Sequence, residues 1–213
     1  MRKNLLLILL LSLSFSAFSQ FKIGFQFSPI LSSNRIDFTS DNVDLETDGT
    51  GLKLATGPFV DIQLTDNYYF NVGVFYASKR VGIEVRDKAN AVPPSKEEYD
   101  LQYVQIPVSM KLYTNEVSLD KRIYFQFGAA LEFNVKEKPA DASNVIVENF
   151  RLFDTSLLAG LGMEYQIGTT TMLFGGLSYH RGLVNVVSES VDGLGGDLAM
   201  KNDYISLDLG IKF

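Results

Sequence analysis

The chain has one histidine, His180. Ser178 stands two residues before it and Asp208 follows near the C-terminus. Hydroxyl, imidazole and carboxylate are the groups of a nucleophilic hydrolase, which is recognised by geometry and roles rather than by order along the chain. The alternation described below places Ser178 and His180 on one face of a strand and Asp208 on the neighbouring final strand. All three then point into a filled interior that no lipid or peptide enters, so they read as lumen polar groups and no catalytic centre is expected. A second constellation is acidic: Asp37, Asp41, Asp44, Glu46 and Asp48 crowd one segment. Their spacing does not match the loop that fixes calcium geometry, and a solvated acidic loop is the simpler reading. With no Cys and one His there is no zinc cluster, and no Gly-rich loop precedes a helix. No cofactor or metal is expected.

A third constellation is ionic and dispersed. Lys22, Lys53, Lys111 and Lys212 fall on the polar faces of alternating segments, as do Asp61, Glu132, Glu164 and Asp208. Four charges of each sign on faces that must share a narrow interior predict a salt-bridged plug, because an unpaired charge there is costly. A narrow, gated channel stays open as the alternative.

The elements that carry these residues are strands. The last ten residues, Tyr204 to Phe213, put Ile205, Leu207, Leu209, Ile211 and Phe213 on one face and Ser206, Asp208, Gly210 and Lys212 on the other. Similar alternation runs over 21–28, 52–64, 68–81, 101–113, 123–135, 153–167 and 171–184, which makes eight segments. Phe59, Met172 and Phe174 break the pattern, and Pro107 sits mid-segment, where proline normally argues against a central strand. Connections alternate between short turns at 65–67, 114–121 and 168–170 and long polar segments at 34–50, 84–98, 136–149 and 185–203. That is the rhythm of an up-and-down transmembrane barrel with both termini at the short-turn, periplasmic side.

Alternation alone fits a soluble barrel or its inversion in lipid. Two features favour inversion. The polar faces carry Gly24, Gly57, Gly73, Gly128, Gly160, Gly162 and Gly210, as a narrow eight-strand interior requires. Aromatics on the apolar faces gather at segment ends: Phe21, Tyr68, Tyr165 and Phe213 at the periplasmic edge, and Tyr76, Phe133 and Tyr179 at the outer edge. These predict two interfacial girdles. Phe213, ending the final strand, is the expected insertion signal.

The N-terminus points to the same compartment. Arg2 and Lys3 precede an apolar run from Leu5 to Leu13, and Ala17-Phe18-Ser19 supplies a cleavage site before Gln20. The run is far shorter than a spanning helix, so residues 1–19 read as a secretory leader and 20–213 as one barrel domain. Losing Arg2 and Lys3 takes the formal charge of -6 to -8. The acidity concentrates in 34–50 and 185–203, which argues against nucleic acid as a partner.

With the segments laid out, the chain resembles the Bacteroidetes outer-membrane β-barrel family that includes the PorT-like proteins. The resemblance rests on Phe18-Ser19-Gln20, on 21–29, and on Leu101 to Leu112 with its internal Pro107. It rests also on Leu158 to Tyr165 and on Tyr179 to Asn185. It covers essentially the whole chain after the leader. It implies an outer-membrane barrel and says little of activity; a secretion-accessory role follows only by analogy.

The expected fold class is therefore all-β, an eight-stranded antiparallel up-and-down transmembrane barrel of the small outer-membrane type with a polar filled lumen. The expected location is the cell outer membrane and the expected role is non-enzymatic, structural or interactive. Expected partners are outer-membrane lipid and lipopolysaccharide, the barrel-assembly machinery during insertion, and an extracellular partner met through mobile loops 34–50 and 185–203. The chain is expected to be monomeric. A transport channel, a PorT-like secretion accessory and a surface enzyme are the alternatives.

Overall fold

The computed structural model describes residues 21–40, 43–87, 94–141, 146–190 and 198–213. The expected leader, 1–19, and its cleavage point before Gln20 lie outside them. The described residues form twelve strands: β1 (Phe21–Asp37), β2 (Val43–Thr47), β3 (Gly51–Gln63), β4 (Tyr68–Gly73), β5 (Phe75–Asp87), β6 (Ser95–Tyr113), β7 (Lys121–Pro139), β8 (Val147–Phe150), β9 (Phe153–Gln166), β10 (Met172–Gly182), β11 (Val187–Ser190) and β12 (Ala199–Lys212). All pairings are antiparallel. The ring runs β1, β12, β10, β9, β7, β6, then β4 with β5, then β3, and closes where β3 pairs with β1. Closure leaves no edge, which is what a sheet immersed in hydrocarbon requires.

The segment expected over 68–81 divides at Val74 into β4 and β5. Register is unbroken across the gap: Val72 pairs with Val108 below it and Phe75 with Gln105 above it. Continued through the gap, that register sets Gly73 opposite Pro107 on one side and Val74 opposite Pro58 on the other. Neither proline can donate a ladder hydrogen bond. Val74 N–H still donates to the Pro58 carbonyl at 3.0 Å, with no bond returned. Pro107 is thus tolerated mid-strand because it faces a gap.

The ring is inside out. Ile23 is 61% exposed and Leu161 56%, whereas Lys79, Glu132 and Asp61 are 0% exposed. Water cannot be the phase around such an apolar surface, since exposed apolar patches of this extent mark a membrane or partner face. The aromatics Phe21, Tyr68, Tyr76, Phe133, Tyr165, Tyr179 and Phe213 all lie on the exposed face. At the end that carries Phe21 and Phe213, connections are tight. Leu64 N–H donates to Tyr68 O and Ile167 N–H to Thr171 O. Asp120 turns the 114–120 connection with φ of 60°, a conformation aspartate tolerates.

The opposite, distal end departs from expectation. The described parts of the long segments there are not free loops. β1 runs on to Asp37, β5 to Asp87 and β7 to Pro139, and β6 starts at Ser95. β2 pairs with β5, and Gly49, with φ of 64°, turns the chain from β2 into β3. β8 and β11 form a separate two-stranded sheet. Between them lies an apolar core of Leu45, Val81, Ile83, Tyr99, Leu101, Tyr103, Ile146, Val147, Val186, Val187, Leu198 and Met200. Charge and turn residues dominate these segments in the sequence. The few apolar residues among them supply this cap. The segments 34–50 and 185–203, expected to be mobile, each contribute to it, through Leu45 and through Val186, Leu198 and Met200; Asp41, Asp192 and Asp197 lie outside the described residues.

Candidate functional site

Alternation turns every second side chain of the ring inward, where side chains from facing walls meet. Nearest the termini, Lys212 donates to Asp61 at 2.9 Å, to the Tyr113 hydroxyl at 3.1 Å and to Glu164. Lys111 donates to both oxygens of Asp61 at 3.1 and 3.2 Å, and Asn71 donates to the same carboxylate. Tyr113 donates to Glu164. These charges come from β3, β6, β9 and β12, so they tie opposite walls together.

Aromatic rings fill the same level. Phe59, Tyr69, Phe75, Tyr113, Tyr124 and Phe174 form a buried cluster, with Phe59 and Phe174 edge to face at 5.4 Å. The Lys111 ammonium lies 4.7 Å from the Phe59 ring centre. Glycine makes the room: a Cβ at Gly24 would stand 2.4 Å from Phe59, and one at Gly210 2.4 Å from Phe174. Phe59 and Phe174, which break the sequence alternation, are thus lumen residues.

Above this layer Ser28 and Ser178 both donate to Asp208, at 2.7 and 2.5 Å. A polar cavity of about 30 Å³ lies here, lined in part by Gln26, Gln105, Ser206, His180 and Asp208. Higher still, Lys79 pairs with Glu132, which also accepts from Gln105 at 2.9 Å and Ser156 at 2.8 Å. His180 stacks on Tyr204, ring centres 4.1 Å apart, and its Nδ1 has no partner among the described residues. Ser178 is bonded to the acid rather than to the imidazole, so the Ser–His–Asp trio does not adopt a nucleophile–base order.

The eight expected lumen charges divide. Asp61, Lys111, Glu164 and Lys212 meet in one network. Glu132 pairs with Lys79 instead of any expected partner; following the β5 alternation two residues past Ala77 finds it. Asp208 is held by hydroxyls, not by a cation. Lys22 pairs with no carboxylate among the described residues and donates to the Met172 sulfur at 3.6 Å. Lys53 leaves the lumen: β3 pairs with β5 only at Ala55 and Thr56, and beyond them Lys53 pairs with Asp100, on the outward alternation of β6.

Two acids of the acidic segment, Glu46 and Asp48, are paired rather than merely solvated. Arg80 donates to the Asp48 carboxylate at 2.9 Å and also to its carbonyl, and Lys96 pairs with the same carboxylate. These hydrogen bonds, from Lys96 first and then Arg80, hold the Asp48 carboxyl below its ordinary range, and Asp48 raises Lys96 in return. Arg86 bridges Glu46 and Glu84. Burial and a bond to Glu97 push the Tyr99 hydroxyl up. Among the described residues no group of three or more acids or histidines is placed to hold a metal ion.

On the outward face of the distal rim, Arg35 donates to both oxygens of Asp203, at 2.7 and 3.1 Å, and to the Gly182 carbonyl at 2.8 Å. The Tyr179 hydroxyl donates to Asp203 as well.

Comparison with known proteins agrees with this geometry. The family model described as "Outer membrane protein beta-barrel domain" matches residues 14–188. The outer membrane protein OprG from Pseudomonas aeruginosa is a similar structure, 13% identical, with a TM-score of 0.58 over 91% of this chain and 95% of that one. Neisserial surface protein A is similar too, 15% identical, with a TM-score of 0.50 over 91% of this chain and 96% of that one. At these identities the likeness is one of fold. No curated protein matches the sequence.

Proposed function

The chain belongs to the outer membrane protein beta-barrel domain family, and from that premise we propose a closed, non-enzymatic barrel that acts through its distal surface. Its place is the outer membrane, as for the matched family and the similar barrels. Counting β4 with β5 as one stave gives an eight-stranded barrel. The leader 1–19 delivers it, Phe213 addresses it to the assembly machinery, and the distal end faces outside the cell. Within the family we place it with the PorT-like Bacteroidetes barrels, on the residues that carry that resemblance.

The observation behind the closed reading is the stacked filling of the lumen: the Asp61–Lys111–Lys212–Glu164 network, the aromatic layer, the Lys79–Glu132 pair and the distal apolar core. Each layer blocks the path of a hydrated ion. Conductance of purified protein in planar bilayers tests it: silence or rare small events are expected, and a large steady channel would reject the closed barrel in favour of a transport role. Orientation has its own test. The chain has no Cys, so a single Gly49→Cys should react with an impermeant maleimide on whole cells; labelling only after lysis would reverse the barrel.

A further inference from the structure

The outer wall of the ring has a dip. In register across four strands, Phe127, Ala159, Tyr179 and Ile205 stand side by side facing outward. Ala159 lies between two aromatics, and the missing side-chain volume opens an apolar groove of about 350 Å³ walled by Phe125, Phe127, Leu161, Leu177, Tyr179 and Ile205. Two residues beyond Tyr179, about 7 Å along the strand, the surface turns cationic. Arg181 is exposed. Lys201 and Arg35 pair in the ladder one step further on.

Arg181 and Lys201 have no hydrogen-bond or ion-pair partner among the described residues. Arg35 is fixed by Asp203, which also accepts from Tyr179, so the acid aligns the rim of the groove with one of its cations. Asp37, one pair further along the β1–β12 ladder, is the other acid on this face among the described residues. Among the described residues this face therefore sets three cations against two acids.

We infer that this face is a binding site for one phosphorylated, acylated lipid of the outer leaflet, its phosphate on Arg181 and Lys201 and an acyl chain in the groove over Ala159. The arrangement follows the two ends of such an amphiphile. The guanidinium fork of Arg181 matches a pair of phosphate oxygens, and long cationic side chains at a membrane edge carry their charge to headgroup level. The groove lies below them, on the hydrocarbon side of Tyr179. Polybasic clusters draw any anionic lipid; the groove directly beneath makes this a site rather than a field. The inference rests on the distal end facing outward.

The test uses the folded full-length barrel in zwitterionic micelles and bis-phosphorylated lipid A as probe, read by native mass spectrometry and by calorimetry. Arg181→Gln/Lys201→Gln should weaken lipid A binding at least tenfold. Lys136→Gln/Lys138→Gln removes the same charge from exposed distal positions on β7 and should change it less than twofold. Ala159→Phe, at an exposed position, fills the groove and should weaken lipid A several-fold while leaving the weak affinity for inorganic phosphate unchanged. Equal loss in both charge variants, equal binding of dephosphorylated lipid, or indifference to Ala159→Phe each overturns the site. Micelle binding does not depend on orientation, so a failed site and a reversed barrel are separate outcomes.

Discussion

Replacing Lys212 by methionine asks whether the lumen charges hold one another. Lys212 is 1% exposed and donates to Asp61, Tyr113 and Glu164. Methionine keeps most of the stem and removes the charge. Asp61 retains Lys111 and Asn71, but Glu164 is left with the Tyr113 hydroxyl alone. Removing one partner of a buried pair costs about 3–5 kcal/mol, because an uncompensated charge stays behind. For a chain of this length each kcal/mol moves the melting midpoint by about 2–4 °C, which gives a fall of roughly 6–20 °C. The chain has no Trp, so the readouts are the far-ultraviolet strand signal and the temperature at which the folded band shifts on an unboiled gel. Adding Glu164→Gln removes the stranded charge, and the double variant should recover most of the loss. A single variant melting within about 2 °C of the parent refutes the reasoning, as does a double variant no more stable than the single.

Gly24→Ala should cost about 1–3 kcal/mol, since its Cβ would meet Phe59 at 2.4 Å and the Ile211 carbonyl oxygen at 2.8 Å. Pairing it with Phe59→Leu should recover part of that in the same melts, and no recovery would locate the clash in the backbone. Asp48 is held below its ordinary value of 3.8. Its ion pairs therefore stabilise the distal end above that pH and are lost as pH falls through the folded-state value. Hydrogen exchange in 43–48 should be flat from pH 7 to about 4 once corrected for intrinsic rates, then accelerate, and Asp48→Asn should abolish the dependence. Leu45→Asp places a charge in the distal core. Protease should then cut within 38–50 or 185–198 while the barrel band still shifts on heating; loss of the folded band would make cap and barrel one unit.

Much of this molecule is legible residue by residue. Strand alternation with a period of two assigns nearly every side chain to lipid or lumen, which is why Lys111, Lys212, Asp61 and Glu164 were expected on one interior and are found on one network. The same rule fails where a face changes its surroundings. Lys53 obeys the parity of β3, yet beyond Ala55 that strand leaves β5 and the lysine meets Asp100 outside the lumen. Phe59 and Phe174 look like errors of pattern until Gly24 and Gly210, their ladder partners on the neighbouring strands, are seen to make their space. The polar segments 34–50 and 185–203 look like free loops because Leu45, Val186 and Met200 are far apart along the chain and come together only in space.

The amino-acid sequence alone determined that this is a β-barrel turned outward to lipid, because that depends on side-chain period and strand-end aromatics, which are local. Tertiary structure alone decided which charge meets which, where Pro107 finds its gap and what closes the distal end. Those outcomes depend on register and on the tilt of strands around a closed ring, and no property of a single segment encodes either.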